Sequence, residues 1–314
     1  MIPESSMTPR PDGYSFLLPL VAPEADLAAR LRPWLVELKR LPGPAELIVV
    51  PATAEAVPEA IPGIIVADVP DKPGYGSALR EGLARAAYDR IGIVSIEKGY
   101  LASDLPEMVR QLEADLPETA QKLDVVNGFR CGVALSSAQK WWDRTKRLGL
   151  RIAFSIEGEA PPGYPGRLEA RRHRTLRAVF ALRIFDAHSR MKLIRRTLLD
   201  KFPIQSDGEF ALPEILCKLN FLGALMAEVP VGKATGVIPH PSGDGSAWGR
   251  ELRTVFFSPS FHPPVPRTDA EPSKAIPRTT PEVGRSDPTN PDPDRTPIST
   301  PPPAFPPGSS APVP

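Results

Sequence analysis

Apolar runs of strand length alternate along the chain with stretches of helical period. Residues 14–21 form a nearly unbroken apolar run and predict a strand. In residues 24–41, Leu27, Leu31, Trp34, Leu35 and Leu38 recur at helical spacing and share one face. Strands are predicted again at 46–50, 63–69, 91–96 and 123–127. Helices are predicted at 77–88, after a Gly-rich turn, and at 104–116. Strands separated by helices of this length predict an α/β fold with a doubly wound, mostly parallel sheet. Ligands of such sheets lie beyond the carboxyl ends of the strands. The loops after Pro19, Val50, Val69 and Ile96 are therefore where chemistry is expected.

The pattern stops near Phe257, and composition explains why. Of 41 prolines, 18 follow that residue, mixed with Ser, Thr, Asp and Arg. Such a segment cannot bury enough apolar surface to offset its ordering entropy, so residues 258–314 are expected to be a disordered tail. PPPAFPP near its end reads either as a polyproline ligand or as plain solvated chain. The expected division is an extension at 1–13, a domain at 14–257 and the tail.

Net charge is +1, which argues against a polycation that binds nucleic acid. The charge is nevertheless uneven. Between residues 138 and 196, 15 Lys or Arg stand against 5 Asp or Glu. Two helical patterns carry this excess. Trp141, Leu148 and Ile152 share one face of the first; Leu176, Val179, Phe180 and Ile184 share one face of the second, with Arg171, Arg172, Arg174 and Arg177 mostly elsewhere. A basic amphipathic helix can lie on an anionic membrane, or pack its apolar face on its own domain. No segment has the ~18 to 20 apolar residues that span a bilayer, and the start lacks a secretory pattern. A cytoplasmic protein is expected, free or peripheral to a membrane. Cys131 and Cys217 make no disulfide framework and read as free thiols.

The order of segments resembles family 2 glycosyltransferases, especially the dolichyl- or polyprenyl-phosphate sugar transferase branch. FLLPLVAPEADL is similar to the first strand and turn, with Pro19 and Glu24 in place and Ala22 where the family has Asn. After ELIVV, the family's Asp-Asp-Gly-Ser reads Pro51, Ala52, Thr53 and Ala54. PGYGSALREGL resembles the Gly-Lys-Gly segment, with Gly74 and Gly76 kept and Tyr75 replacing the lysine. Asp104-Leu105-Pro106 is intact, and the Asp-x-Asp that precedes it in the family has become Ser95-Ile96-Glu97. LDVVNGFR retains Asp124 and Arg130. The block from Asp186 to Val231 resembles the acceptor half, with Asp186 and Lys192 in a short strand, then Gln205-Ser206-Asp207-Gly208, Glu214 and Glu228.

The resemblance implies the GT-A nucleotide-sugar fold and transfer of a sugar from a nucleotide donor to a polyprenyl-phosphate or other lipid-linked acceptor. It implies nucleotide-sugar contacts at Pro19, Glu24, Gly74, Gly76 and Ser95, and a weak Mg²⁺ or Mn²⁺ site at Glu97. It implies acceptor or phosphate contacts at Arg130, Lys192, Gln205 and Asp207, and a catalytic role for Asp186. Asp186 reads equally as a partner of Arg183 or Arg190, and Asp207 as a turn and cap residue. Arg130 reads either as a phosphate ligand or as a cap to its strand, and His188 is expected to be structural. A serine hydroxyl is neutral, and Pro51 and Ala52 offer a base no side-chain hydrogen bond. Losing two such contacts weakens nucleotide binding by roughly 10² to 10⁴. The alternative is a catalytically inactive binding or scaffold module of the same fold.

Overall fold

The computed structural model describes residues 10–56, 58, 61–97, 99–116, 120–130, 167–232 and 245–261. Seven strands form one sheet in the order β3-β2-β1-β4-β6-β5-β7. They are β1 (Tyr14–Leu20), β2 (Ala45–Pro51), β3 (Ile65–Val66), β4 (Arg90–Ile93), β5 (Val125–Arg130), β6 (Lys192–Arg195) and β7 (Met226–Val231). β6 runs antiparallel to both β4 and β5, and every other pairing is parallel. The mostly parallel sheet expected from the alternation is present, with one reversed strand at its centre.

The longer helices of the described residues are α1 (Leu27–Leu38), α2 (Tyr75–Arg85), α3 (Leu105–Glu113), α4 (Arg167–Phe180), α5 (Ala211–Phe221) and α6 (Gly245–Phe257). Strand side chains alternate between two buried cores, as a sheet covered on both faces requires. Leu17, Ile48, Val50, Ile91 and Val125 face α2, α4, α5 and α6. Phe16, Leu18, Leu47, Val49 and Val126 face α1 and α3.

Leu176 of α4 and Ile184 beyond it are buried in the domain's own core, and Arg172 is buried beside Trp248. The apolar face therefore packs inward, while Arg171, Arg174 and Arg177 stay exposed. The first basic segment, with Trp141, Leu148 and Ile152, lies outside the described residues, as do Cys131 and the chain from 262 on. Cys217 is a buried thiol whose pKa burial raises. No helix of the described residues is long and apolar enough to cross a membrane.

Defined packing runs past the expected boundary at Phe257. The Gln205 side chain donates to the Ser258 carbonyl (3.0 Å) and accepts from the Ser260 N–H (2.8 Å). Phe261 stacks near Phe221 with ring centroids 4.9 Å apart.

Candidate functional site

Register places the site's floor. Across the centre of the sheet, Ile93, Lys192, Asn127 and Glu228 form one row, each paired with the next. This row sits where the parallel strands end and β6 begins, so its polar members point into one buried spot. The Lys192 Nζ donates to the Asn127 Oδ1 (2.6 Å) and the Ala187 carbonyl (3.2 Å). The Asn127 Nδ2 donates to Glu228 (3.0 Å) and to the Asp186 carbonyl (3.1 Å). Glu228 in turn accepts from the Phe185 N–H (2.8 Å). The row thus clamps the segment 185–187. Burial pushes the Lys192 amine down to about 7, against the pull of Asp186 and Glu228.

Asp186 lies ahead of β6 rather than in it, and its partner is neither Arg183 nor Arg190. The Arg130 guanidinium at the end of β5 grips it bidentately, Nε to Oδ2 at 2.6 Å and the second nitrogen to Oδ1 at 2.9 Å. The Arg130 N–H adds a third bond at 3.2 Å. Burial alone would raise the Asp186 carboxyl; Arg130 outweighs it and holds the group below its ordinary value. A carboxylate held this way is a poor proton acceptor, and its geometry suits aiming Arg130. His188 is structural in its contacts: its Nε2 accepts from the Trp248 indole N–H (3.1 Å), and burial pushes its pKa down to about 3.

A second cluster surrounds Arg190, a residue that sequence reading placed only as an alternative partner of Asp186. Its guanidinium bonds Glu97 through one terminal nitrogen and Glu209 through the other, the latter at 2.8 Å. It lies over the Tyr75 ring, 5.0 Å from the centroid. Its main-chain N–H donates to the Tyr100 hydroxyl at 2.9 Å. Glu97, expected to hold a metal, thus carries an arginine. Ser95 is buried, and its Oγ accepts from the Glu97 N–H at 3.2 Å.

The remaining expected residues stand around the same edge with partners of their own. Pro19 is buried opposite Val50. Glu24 pairs with Arg30, which also donates to the Ile96 carbonyl and so ties the loop after β1 to the loop after β4. Gly74 and Gly76 admit the 206–207 backbone: a Cβ at Gly74 would collide with the Asp207 carbonyl, and one at Gly76 with the Ser206 carbonyl. The Asp207 carbonyl accepts from the Gly76 N–H (2.8 Å), and its side chain from the Ser77 hydroxyl (3.1 Å) and Arg80. The start of α2 is therefore capped from within the chain. Gln205 is a strut, its Oε1 accepting from the Lys218 Nζ at 2.8 Å.

A divalent cation fits this site poorly. Among the described residues no three His, Cys, Asp or Glu side chains converge as a metal set. Mg²⁺ and Mn²⁺ favour hard oxygen ligands, and carboxylates supply the charge. Here one carboxylate is paired with Arg190 and the neighbouring ligand position is a neutral hydroxyl. At ~4 Å from a fixed guanidinium, a dication meets roughly 8 kcal/mol of repulsion at an effective dielectric of 20.

No family model and no curated protein sequence matches the chain. Solved structures do. Glucosyl-3-phosphoglycerate synthase from Mycobacterium tuberculosis in complex with UDP superposes with a TM-score of 0.52 at 20% identity, over 78% of this chain and 77% of that one. The Mg²⁺ and UDP complex gives 0.51 at 18% identity, over 81% of each chain. The complex with Mn²⁺, UDP-glucose and glycerol 3-phosphate gives 0.50 at 19%, over 78% and 77%. The fold is GT-A.

Proposed function

We propose that the chain is a glycosyltransferase that takes a sugar from a nucleoside-diphosphate donor and passes it to a phosphate-bearing acceptor. The observation that supports it most is the pair of guanidiniums, Arg190 and Arg130, fixed at the carboxyl edge where the sheet's loops converge. On this reading Pro19, Glu24, Gly74, Gly76 and Ser95 border the donor. Arg130, fixed by Asp186 and the Lys192 row, supplies positive charge to the acceptor phosphate. No step is assigned to a metal.

Two acceptors share that phosphate. A small phosphorylated acid or alcohol is the kind the structural neighbours hold. A polyprenyl phosphate is the other, and a surface favours its presentation by a membrane. Phe221 and Phe257 are each 76% exposed, Phe256 is 45% exposed, and Phe180 of α4 packs edge-on against Phe256. Aromatic side chains beside the exposed arginines of α4 suit an anionic interface.

The test is transfer itself, read by mass spectrometry with UDP- and GDP-linked sugars. One arm offers 3-phosphoglycerate in solution, the other polyprenyl phosphate in anionic vesicles. A glycosylated acceptor in either arm supports the proposal and names the source. Nucleotide binding with no transfer in either arm favours the binding module, and no nucleotide binding at all sinks the proposal.

A further inference from the structure

Three features of the donor site converge on one cation. Arg190 is held from several sides at once: Glu97 and Glu209 on its two terminal nitrogens, the Tyr75 ring beneath it, and Tyr100 on its main-chain N–H. A guanidinium has five N–H donors, and among the described residues the hydrogen bonds to Glu97 and Glu209 take one on each terminal nitrogen. The others have no partner there, and the side chain is 12% exposed. The Tyr75 hydroxyl is fully buried and has no hydrogen-bond partner among the described residues, which is costly unless an acceptor arrives.

The same cluster works against a metal. Glu97 is already paired, the Ser95 hydroxyl is neutral and already accepts a bond, and a guanidinium stands where positive charge is needed. A diphosphate needs what is present: a preorganised, planar, permanently charged donor set.

We propose that Arg190 is the resident cation of the donor site and binds the diphosphate of a nucleoside diphosphate directly, so that donor recognition requires no divalent metal. This rests on the nucleotide-sugar reading and specifies how that site holds its ligand. Glu97 and Glu209 then act as positioning residues that aim the guanidinium, and the Tyr75 hydroxyl donates to a ligand oxygen.

Calorimetry on the full chain tests this with UDP, GDP and inorganic pyrophosphate, in EDTA and in Mn²⁺. Affinity in EDTA is expected within about threefold of that in Mn²⁺, since each decade takes ~1.4 kcal/mol. Arg190→Gln is expected to weaken binding in EDTA by about 10- to 100-fold, the loss of one charge-assisted contact. Arg190→Lys should fall between, keeping the charge and losing the fork. With Glu97 and Glu209 unpaired, Arg190→Gln should also begin to bind Mn²⁺ alone, read by electron paramagnetic resonance. Nucleotide binding by the unmodified chain that vanishes in EDTA overturns this inference and leaves the nucleotide reading intact. Undiminished binding by folded Arg190→Gln does the same. If no probe binds under either condition, both fall. Should Arg190→Gln fail to fold, the contrast between EDTA and Mn²⁺ in the unmodified chain still decides.

Discussion

The two sides of the carboxyl edge, acceptor and donor on the proposed reading, are built on opposite principles. The acceptor side is crowded with charge held in fixed geometry: Arg130 with Asp186, and Lys192 with Asn127 and Glu228. At the ends of β2 and β4 the donor side carries neutral residues. Pro51 and Ala52 follow β2, Ser95 follows β4, and what charge remains is gathered on Arg190. Buried charges survive only when paired and bonded, so the acceptor side is a network in which each member depends on its neighbours. The donor side gathers its charge in one cluster, Arg190 with Glu97 and Glu209, and the ends of β2 and β4 beside it are neutral.

That contrast is most exposed at Arg130. Arg130→Met leaves Asp186 buried and unpaired, and is expected to cost about 3 to 5 kcal/mol of stability at pH 7. The Asp186 pKa is depressed in the folded chain, so its contribution is present above the unfolded value and is lost as pH falls through the folded one. Urea unfolding should therefore show a smaller penalty near pH 3, below the ordinary Asp value of 3.8, than at pH 7. An equal penalty at both would mean that Arg130 acts through packing alone.

The joint between the sides comes next. Gly76→Ala drives a methyl into the Ser206 carbonyl and should cost about 1 to 3 kcal/mol by thermal melting. A neutral result would show that the 204–208 loop yields, and that the two sides are less tightly joined than the caps suggest.

Least is expected on the donor side. Ser95→Asp puts a carboxylate at a buried position, where it can keep the bond from the Glu97 N–H, and should cost about 1 to 2 kcal/mol. While Arg190 remains, Mn²⁺ affinity measured by calorimetry should stay within about threefold. A large gain in Mn²⁺ binding would erase the contrast, restoring a metal site without removing the guanidinium.

Much of the architecture was legible in the pattern of apolar positions. β1, α1 and β2 fall within a few residues of their expected bounds because each buries a regular face. β3 shrank to Ile65–Val66 because only two residues of this edge strand pair with β2. α6 was missed: it lies beyond the stretch that resembles a family, and its core contacts are made by residues such as Trp248 and Val255. At the site, the expected positions do gather on one edge, but their partners were not readable. Arg190 meets Glu97 across 93 residues of chain, and no local period records such a pair. Arg172 looked like one solvated arginine among four and is buried against Trp248, because the helix turns that position inward.

The cap of α2 also has a meaning in time. Ser77 is bonded by Asp207, which lies 130 residues further along the chain. At synthesis rates of about 5 to 20 residues per second, α2 emerges roughly 7 to 26 s before its cap exists. During that interval its first turn keeps open N–H groups, and α2, packed on β1 and β2, carries an outer face that α5 has not yet covered. The nascent donor side must wait for the acceptor side to be made, and a chaperone that shields apolar surface would find its longest opportunity there.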